Sequence, residues 1–308
     1  MSTILRVAYE VIAPILISAL FGFIIGRRFQ SDPKTLSRIA IYLFLPALAF
    51  TGSANTNLQP GEIGQIFVLI ALYFSIMAGI VSLLARTQRN AGPMVQSAFM
   101  LSALLANTGN YGLPFVEFAF GSDALAIAVI VFTINSIANN TLGIYVASSG
   151  KASIREGIRN VLSVPVPYAI LLGFMVKFGG IEVPLPLGRS ITLLSQASVP
   201  IMVTLLGIQL SRIVDFSEFK SIYSTLALAS AARLLLSPLL VLLLVTLLGI
   251  TGLTRNVLLV QLSAPTAVVA TLLATEFGSD ARFVTAVIFI TTLASLVTLS
   301  IIMAVLVT

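Results

Sequence analysis

The sequence predicts an all-α membrane protein of ten transmembrane helices, built as two inverted five-helix repeats. Three observations lead there. The 308-residue chain is 58% hydrophobic and only 9% charged, with a mean hydropathy of +1.07, whereas a soluble domain carries about 25% charged residues. Its apolar residues gather into ten runs, each long enough for the roughly 20 residues a helix needs to cross the hydrocarbon. Motifs of the first half also recur, in order, in the second.

Span 1 (about 4–26) carries Pro14 and Gly22 and ends in Arg27-Arg28. No basic cluster precedes it, so it reads as a span and not as a cleaved signal peptide. Span 2 (36–54) carries Pro46 and span 7 (188–211) carries Pro200, each expected to bend its helix. Span 3 covers 64–86. Span 4 (93–120) contains Asn107-Thr-Gly-Asn-Tyr-Gly-Leu-Pro114. Glycine weakens a helix interior and proline removes one of its hydrogen bonds, so this stretch should break the helix. Broken backbone is tolerated in a bilayer only where protein or a water-filled cavity surrounds it, which makes the break a binding-site candidate. Span 5 (122–148) follows a Gly-Ser-Asp turn, as does span 10 (281–307); Asp123 and Asp280 are expected to cap them. Span 6 (160–179) carries Pro165 and Gly173, span 8 (221–249) carries Arg233, and span 9 (255–277) is interrupted at Ser263-Ala-Pro-Thr266. Gly22, Gly26 and Gly173 read as close helix contacts. Connections are short, and no soluble domain is inserted.

The repeat rests on ordered matches. Pro14 and Gly22 correspond to Pro165 and Gly173 at an offset of 151, Pro46 to Pro200 at 154, and Phe120-Gly-Ser-Asp-Ala124 to Phe277-Gly-Ser-Asp-Ala281 at 157. The units are then 1–149 and 153–308. Five spans is an odd number, so the second unit is inverted, an arrangement typical of secondary transporters with a midplane site between broken helices. At the offset of 157, Asn107-Thr108 falls on Ala264-Pro265. Arg27, Arg28, Lys34, Arg38, Arg86, Arg89, Lys151, Arg155, Arg159, Arg212, Lys220 and Arg282 lie in one set of loops; Arg6, Lys177, Arg189 and Arg255 lie opposite. The richer set should be cytoplasmic, which places both termini outside the cell membrane.

Each break creates a half-helix N-terminus near the membrane centre, where free N–H groups and the helix dipole favour an anion. Pro114 suits the first turn of the second half of span 4, and Thr266 is expected to cap the second half of span 9. Asn107, Thr108, Gly109 and Asn110, with Ala264, Pro265 and Thr266, are the candidate substrate-binding residues; neutral amides suit a carboxylate. The plainer alternative is that the asparagines only satisfy freed backbone. Arg233, mid-span and costly there, can concentrate an anion, pair with a carboxylate, or bond helix carbonyls. Glu117 reads as a proton-coupling carboxylate or an interfacial glutamate, and Glu10 is read the same way. Asn135, Asn139 and Asn140 on span 5, with Gln209 and Gln261, either line the cavity or bind helices together.

The chain has no cysteine, histidine or tryptophan. That removes disulfides, thiol nucleophiles, thiolate metal sites and the commonest general base, and leaves interfacial anchoring to Tyr, Lys and Arg. The net charge of +6 is spread between apolar runs without a basic-aromatic patch, which argues against nucleic acid.

The motifs Asn107-Thr-x-x-x-Gly112-x-Pro114, Phe120-Gly-Ser-Asp123, Leu45-Pro46-Ala47, Arg233-(x)4-Pro238 and Ala264-Pro265 resemble the auxin efflux carrier family, which includes plant PIN-type carriers and bacterial malate and malonate permease-like members. The resemblance covers nearly the whole chain. It implies a ten-helix fold like that of NhaA-type antiporters and bile-acid sodium symporters, with spans 4 and 9 crossing at their breaks. Spans 1, 2, 6 and 7 would form a scaffold and spans 3–5 and 8–10 a moving transport domain, working by elevator-type alternating access. It implies substrate carboxylate binding at Asn107 and around Pro265, and admits a homodimer through the scaffold. Plant members have a long cytoplasmic loop between spans 5 and 6, here only about Ser148–Arg159, and a proline where this chain has Ala106.

The expected function is therefore secondary transport of a small organic anion, such as an auxin-like acid, malate or malonate, within the lipid bilayer. The alternative is a sodium or proton antiporter or symporter on the same architecture, although no acidic residue lies within either break. A non-transporting receptor lacks a domain to carry its signal, and an enzyme lacks His, Cys and paired midplane carboxylates. No catalytic residue, metal or cofactor is expected.

Overall fold

The computed structural model describes residues 6–88, 91–148, 163–211 and 222–307, and its regular structure is all helical, with no strand among these residues. Among the described residues, seven helical stretches are long and apolar enough to cross a membrane: Tyr9–Phe29, Pro33–Asn55, Pro60–Thr87, Ser122–Ala147, Leu185–Leu210, Tyr223–Leu247 and Ala281–Leu306. Pro93–Leu104 and Val166–Gly179 are apolar but shorter. Leu20, Phe21, Leu171, Leu193, Leu247 and Val297 are large, apolar and exposed, as side chains facing lipid must be. The chain is a multi-pass membrane protein.

In chain order the helices are α1 (Ala13–Phe29), α2 (Pro33–Ile39), α3 (Leu45–Asn55), α4 (Pro60–Thr87), α5 (Pro93–Leu104), α6 (Leu113–Phe120), α7 (Ser122–Ala147), α8 (Val166–Gly179), α9 (Leu185–Leu210), α10 (Tyr223–Ala231), α11 (Ser237–Leu247), α12 (Gly252–Leu262), α13 (Val269–Phe277) and α14 (Ala281–Val307). Proline opens many of them, in the first turn where its missing N–H costs nothing. The wide π-type turns Ala8–Ile12, Ala40–Phe44, Thr108–Gly112 and Ala232–Leu236 each run directly into such a helix, opened by Pro14, Pro46, Pro114 and Pro238. A proline inside a helical path cannot donate backward and crowds the carbonyl four residues earlier; widening the preceding turn relieves both. Pro46 therefore sits at such a widened junction, while Pro200 lies inside the continuous α9.

Glycines set the closest crossings. A Cβ at Gly22 would overlap the Thr204 carbonyl, and one at Gly207 the Ala19 carbonyl, so α1 and α9 meet backbone to backbone. Gly26 abuts Ser211, and Gly173 of α8 abuts Ser53 and Phe50 of α3 in the same way.

The two expected caps diverge. Asp280 Oδ1 accepts from the Phe283 N–H at 2.9 Å and caps α14. Asp123 does not cap α7: Gly121, at φ 82°, takes the cap position and Asp123 falls inside the first turn. The difference comes from glycine's access to positive φ, which lets the chain turn one residue earlier. Arg89, Lys151, Arg155, Arg159, Arg212 and Lys220 of the charge pattern, the loop beyond Ser148, and the first residues of spans 6 and 8 lie outside the described residues.

Candidate functional site

The stretch between α5 and α6 is not helical from Leu105 to Asn107, and neither is the stretch between α12 and α13 around Ser263–Thr266. These two interruptions meet. Ala106 and Thr266 form an isolated antiparallel bridge, with Asn107 N donating to Pro265 O at 2.8 Å and Ala267 N donating to Leu105 O at 2.8 Å. Each irregular segment thus satisfies backbone groups that the other has freed, which buried polar backbone requires in an apolar surround. Leu105, Ala106, Asn107, Ala264 and Thr266 are all buried.

Side chains close the junction. Asn135 Nδ2 donates to Thr108 Oγ1 at 2.9 Å, and Asn139 Nδ2 reaches the Ala106 carbonyl at 3.5 Å. These two asparagines stand one turn apart on α7. Thr266 does not cap α13 as expected: its hydroxyl donates to Ser102 O at 2.7 Å, its N–H is taken by Thr291 Oγ1 at 3.2 Å, and α13 starts later, at Val269. The hydroxyl is spent on α5 because the bridge holds Thr266 against that helix. Pro114, by contrast, sits in the first turn of α6, as expected. Gln261 Nε2 reaches Ala128 O at 3.5 Å, and its amide oxygen packs against Gly112, leaving no room for a Cβ there.

Arg233 is fully buried and has no carboxylate partner among the described residues. It bonds helix carbonyls. Nη1 donates to Ala103 O at 3.3 Å, Leu104 O at 3.1 Å and Tyr73 Oη at 3.0 Å; Nη2 donates to Ser237 Oγ at 2.8 Å and to the Leu262 carbonyl. Ser237 Oγ also donates to Leu262 O at 2.7 Å. The guanidinium therefore sits where α5 and α12 both end, and its fixed positive charge faces the negative poles of two helix dipoles. Glu117, half-buried on α6, is not among the residues lining the junction cavity. Glu10 pairs with Arg6 at 2.9 Å on the surface.

A cavity of about 190 Å³ adjoins the junction, lined by Ala106, Asn107, Thr108, Gly109, Asn110, Phe132, Ser136, Asn139, Asn140 and Gln209 among others. Asn110 Nδ2 and Gln209 Oε1 meet across it at 3.4 Å. Four of its lining residues, Ser37, Gln209, Val268 and Leu272, also line a larger cavity of about 580 Å³ beside Asp32, Lys34 and Arg38. Ala264, Pro265, Thr266, Asn135, Gln261, Arg233 and Glu117 line neither. Several buried polar atoms at the junction have no hydrogen-bond partner: Asn107 Nδ2, Asn135 Oδ1, Asn139 Oδ1, Gln261 Oε1 and Ser263 Oγ. Of these residues, Asn107 and Asn139 face the cavity. Among the described residues no three His, Cys, Asp or Glu side chains gather as metal ligands would. Tyr73, Ser102, Ser237 and Thr291 were not singled out by sequence; a hydroxyl in an otherwise apolar span was their only signal.

The class that these features define is a multi-pass membrane transporter, and residues 149–303 match the family model described as membrane transport protein. The chain belongs to that family, the auxin efflux carriers. It is 29% identical over 302 residues to an uncharacterized transporter of Methanocaldococcus jannaschii, covering 94% of this chain and 96% of the relative. It is 26% identical over 293 residues to an uncharacterized transporter of Methanothermobacter thermautotrophicus, covering 94% and 95%. A Rhizobium meliloti protein named as a putative malonate transporter is 27% identical over 283 residues, covering 86% and 84%.

Proposed function

We propose that the chain is a secondary carrier for a small organic anion, bound through a carboxylate at Asn107. The observation that carries this reading is Asn107: the residue lines the cavity at the junction, and its buried side-chain Nδ2 has no partner in the protein. A buried donor without a partner costs about 1–3 kcal/mol, which a carboxylate oxygen would offset. The helical path that runs from Thr108 through α6 begins beside Asn107, and its N-terminal end adds positive potential. The name of the Rhizobium relative supports a carboxylate of malonate size.

In this reading the ten spans form inverted repeats over 1–149 and 153–308. Spans 4 and 9 cross at their interruptions, and spans 3–5 with 8–10 move against a scaffold of spans 1, 2, 6 and 7. A homodimer would use the scaffold. The Lys34 end is cytoplasmic, both termini are outside the cell membrane, and the cycle uses no cofactor. Thr108, Gly109 and Asn110 line the substrate with Asn107; Ala264, Pro265 and Thr266 hold the crossing in shape. Flux of mono- and dicarboxylates into proteoliposomes tests the reading. Asn107→Ala should abolish flux that wild type shows, and full flux in a well-folded Asn107→Ala variant sinks the site.

A second reading, coupling to sodium, is favoured by one observation: Asn135 Oδ1 and Asn139 Oδ1 are buried acceptors with no donor. A sodium-dependent rise in thermal stability, lost in Asn135→Ala, supports it; flux indifferent to sodium counts against it.

A further inference from the structure

The two ends of the helix path Pro33–Asn55 open onto cavities of opposite charge. At its start, Lys34 and Arg38 stand one turn apart on α2 and line the 580 Å³ cavity that shares Ser37 and Gln209 with the junction cavity. Both side chains are exposed, and neither has an ion pair among the described residues. Asp32 also lines this mouth, with its carboxylate accepting from the Lys34 N–H and the Thr35 hydroxyl, so the charged groups of the lining sum to one positive charge. The remaining wall is mostly apolar, with Leu210, Val268, Leu272, Ile288 and Phe289 beside Thr271 and Thr285. At the far end of the path, a cavity of about 310 Å³ is lined by Asn55, Glu62, Asp123 and Thr254, with no basic residue; Arg255, next in sequence, is not part of its lining. Clefts of one sign with low-dielectric walls focus field lines and concentrate counter-ions, by about 10- to 1000-fold in association rate.

We infer that Lys34 and Arg38 form an anion-collecting mouth and Glu62 with Asp123 an anion-repelling one, so that the carrier has a lower KM for its substrate on the Lys34 face. This rests on the organic-anion reading above. Lys34 and Arg38 load the junction cavity from their side, and the acidic mouth disfavours reloading from the other. Fixed charges cannot change the equilibrium distribution across the membrane, so the lower KM is accompanied by a proportionately lower maximal rate in that direction.

The test is initial-rate flux in sealed vesicles of each orientation at low salt, with malonate as first probe and otherwise the carboxylate that the wild type carries best. Wild type should show unequal KM on the two faces. Lys34→Gln with Arg38→Gln should raise the lower KM about tenfold and leave the other unchanged, and high salt should mimic it because screening shortens the reach of exposed charges. The charge-preserving pair Lys34→Arg with Arg38→Lys should retain wild-type KM. Equal KM on both faces, a rise on both faces, or an equal rise in the charge-preserving pair overturns the inference while leaving the carrier reading intact; absence of carboxylate flux in wild type overturns both.

Discussion

Arg233 Nη1 lies 3.1 Å from the carbonyl oxygen of Leu104, the last residue of α5. Its other terminal nitrogen reaches Leu262, the last residue of α12. One side chain thus terminates both interrupted helices. Arg233→Met should lower Tm in detergent, because Ala103 O and Leu104 O lose the guanidinium, while Leu262 O keeps Ser237 Oγ, and a buried carbonyl left without a donor costs about 1–3 kcal/mol. Arg233→Lys should recover only part, since an ammonium cannot present the planar fork that bonds several acceptors at once. An unchanged Tm in Arg233→Met would show that the carbonyls find other donors.

The contact between Asn110 and Gln209 joins the junction to α9 across the cavity at 3.4 Å. If α9 stays still while the junction moves, this bond breaks in every cycle. A neutral hydrogen bond contributes about 0.5–1.5 kcal/mol. Gln209→Ala should therefore speed turnover by up to about tenfold with little change in Tm, measured as exchange flux. Unchanged turnover argues that α9 and the junction move together.

Gly207 faces the Ala19 carbonyl with no room for a Cβ. Gly207→Ala should push α1 from α9 and lower stability by about 1–3 kcal/mol, the usual cost of overpacking, read as a drop in Tm. Gly64, with open space around it, is the control: Gly64→Ala should leave Tm unchanged or raised.

Asp32 accepts from the Lys34 N–H at 3.1 Å and the Thr35 hydroxyl at 3.2 Å. The Lys34 backbone bond is the main cause holding its carboxyl below the usual carboxylate value. A lowered folded value means that the cap is fully favourable above the unfolded value of about 3.9 and is lost as pH falls through the folded one. Hydrogen exchange across α2, corrected for intrinsic rate, should thus quicken only on the acid side of that range. Asp32→Asn should keep the cap and abolish the pH dependence; a pH response that survives in it contradicts the assignment.

The first interruption was legible only as a region: Gly109, Gly112 and Pro114 pointed to a break from Asn107 to Pro114, but the non-helical residues are Leu105 to Asn107, and Thr108–Gly112 is a widened helical turn that runs into α6. The second was less so: Ser263–Thr266 holds one proline, and only the offset from Asn107-Thr108 to Ala264-Pro265 singled it out. That offset pairs two short stretches now seen bonded to each other, through Asn107 N and Pro265 O. The bonds of Thr266 to Ser102 and of Arg233 to Leu104 and Leu262 were not legible, because they depend on which helices lie alongside and not on spacing. Asp123 shows the limit of a local motif: the same Gly-Ser-Asp precedes α7 and α14, yet only Asp280 caps. Gly207 went unread although it mirrors Gly22 at the same crossing.

The most direct test of the central claim is a high-resolution structure in lipid nanodiscs with a saturating carboxylate that the protein carries. The account predicts ligand density in the 190 Å³ cavity, with a carboxylate oxygen within hydrogen-bond distance of Asn107 Nδ2. A carried substrate bound elsewhere, with Asn107 Nδ2 bonded only to protein or water, would contradict it.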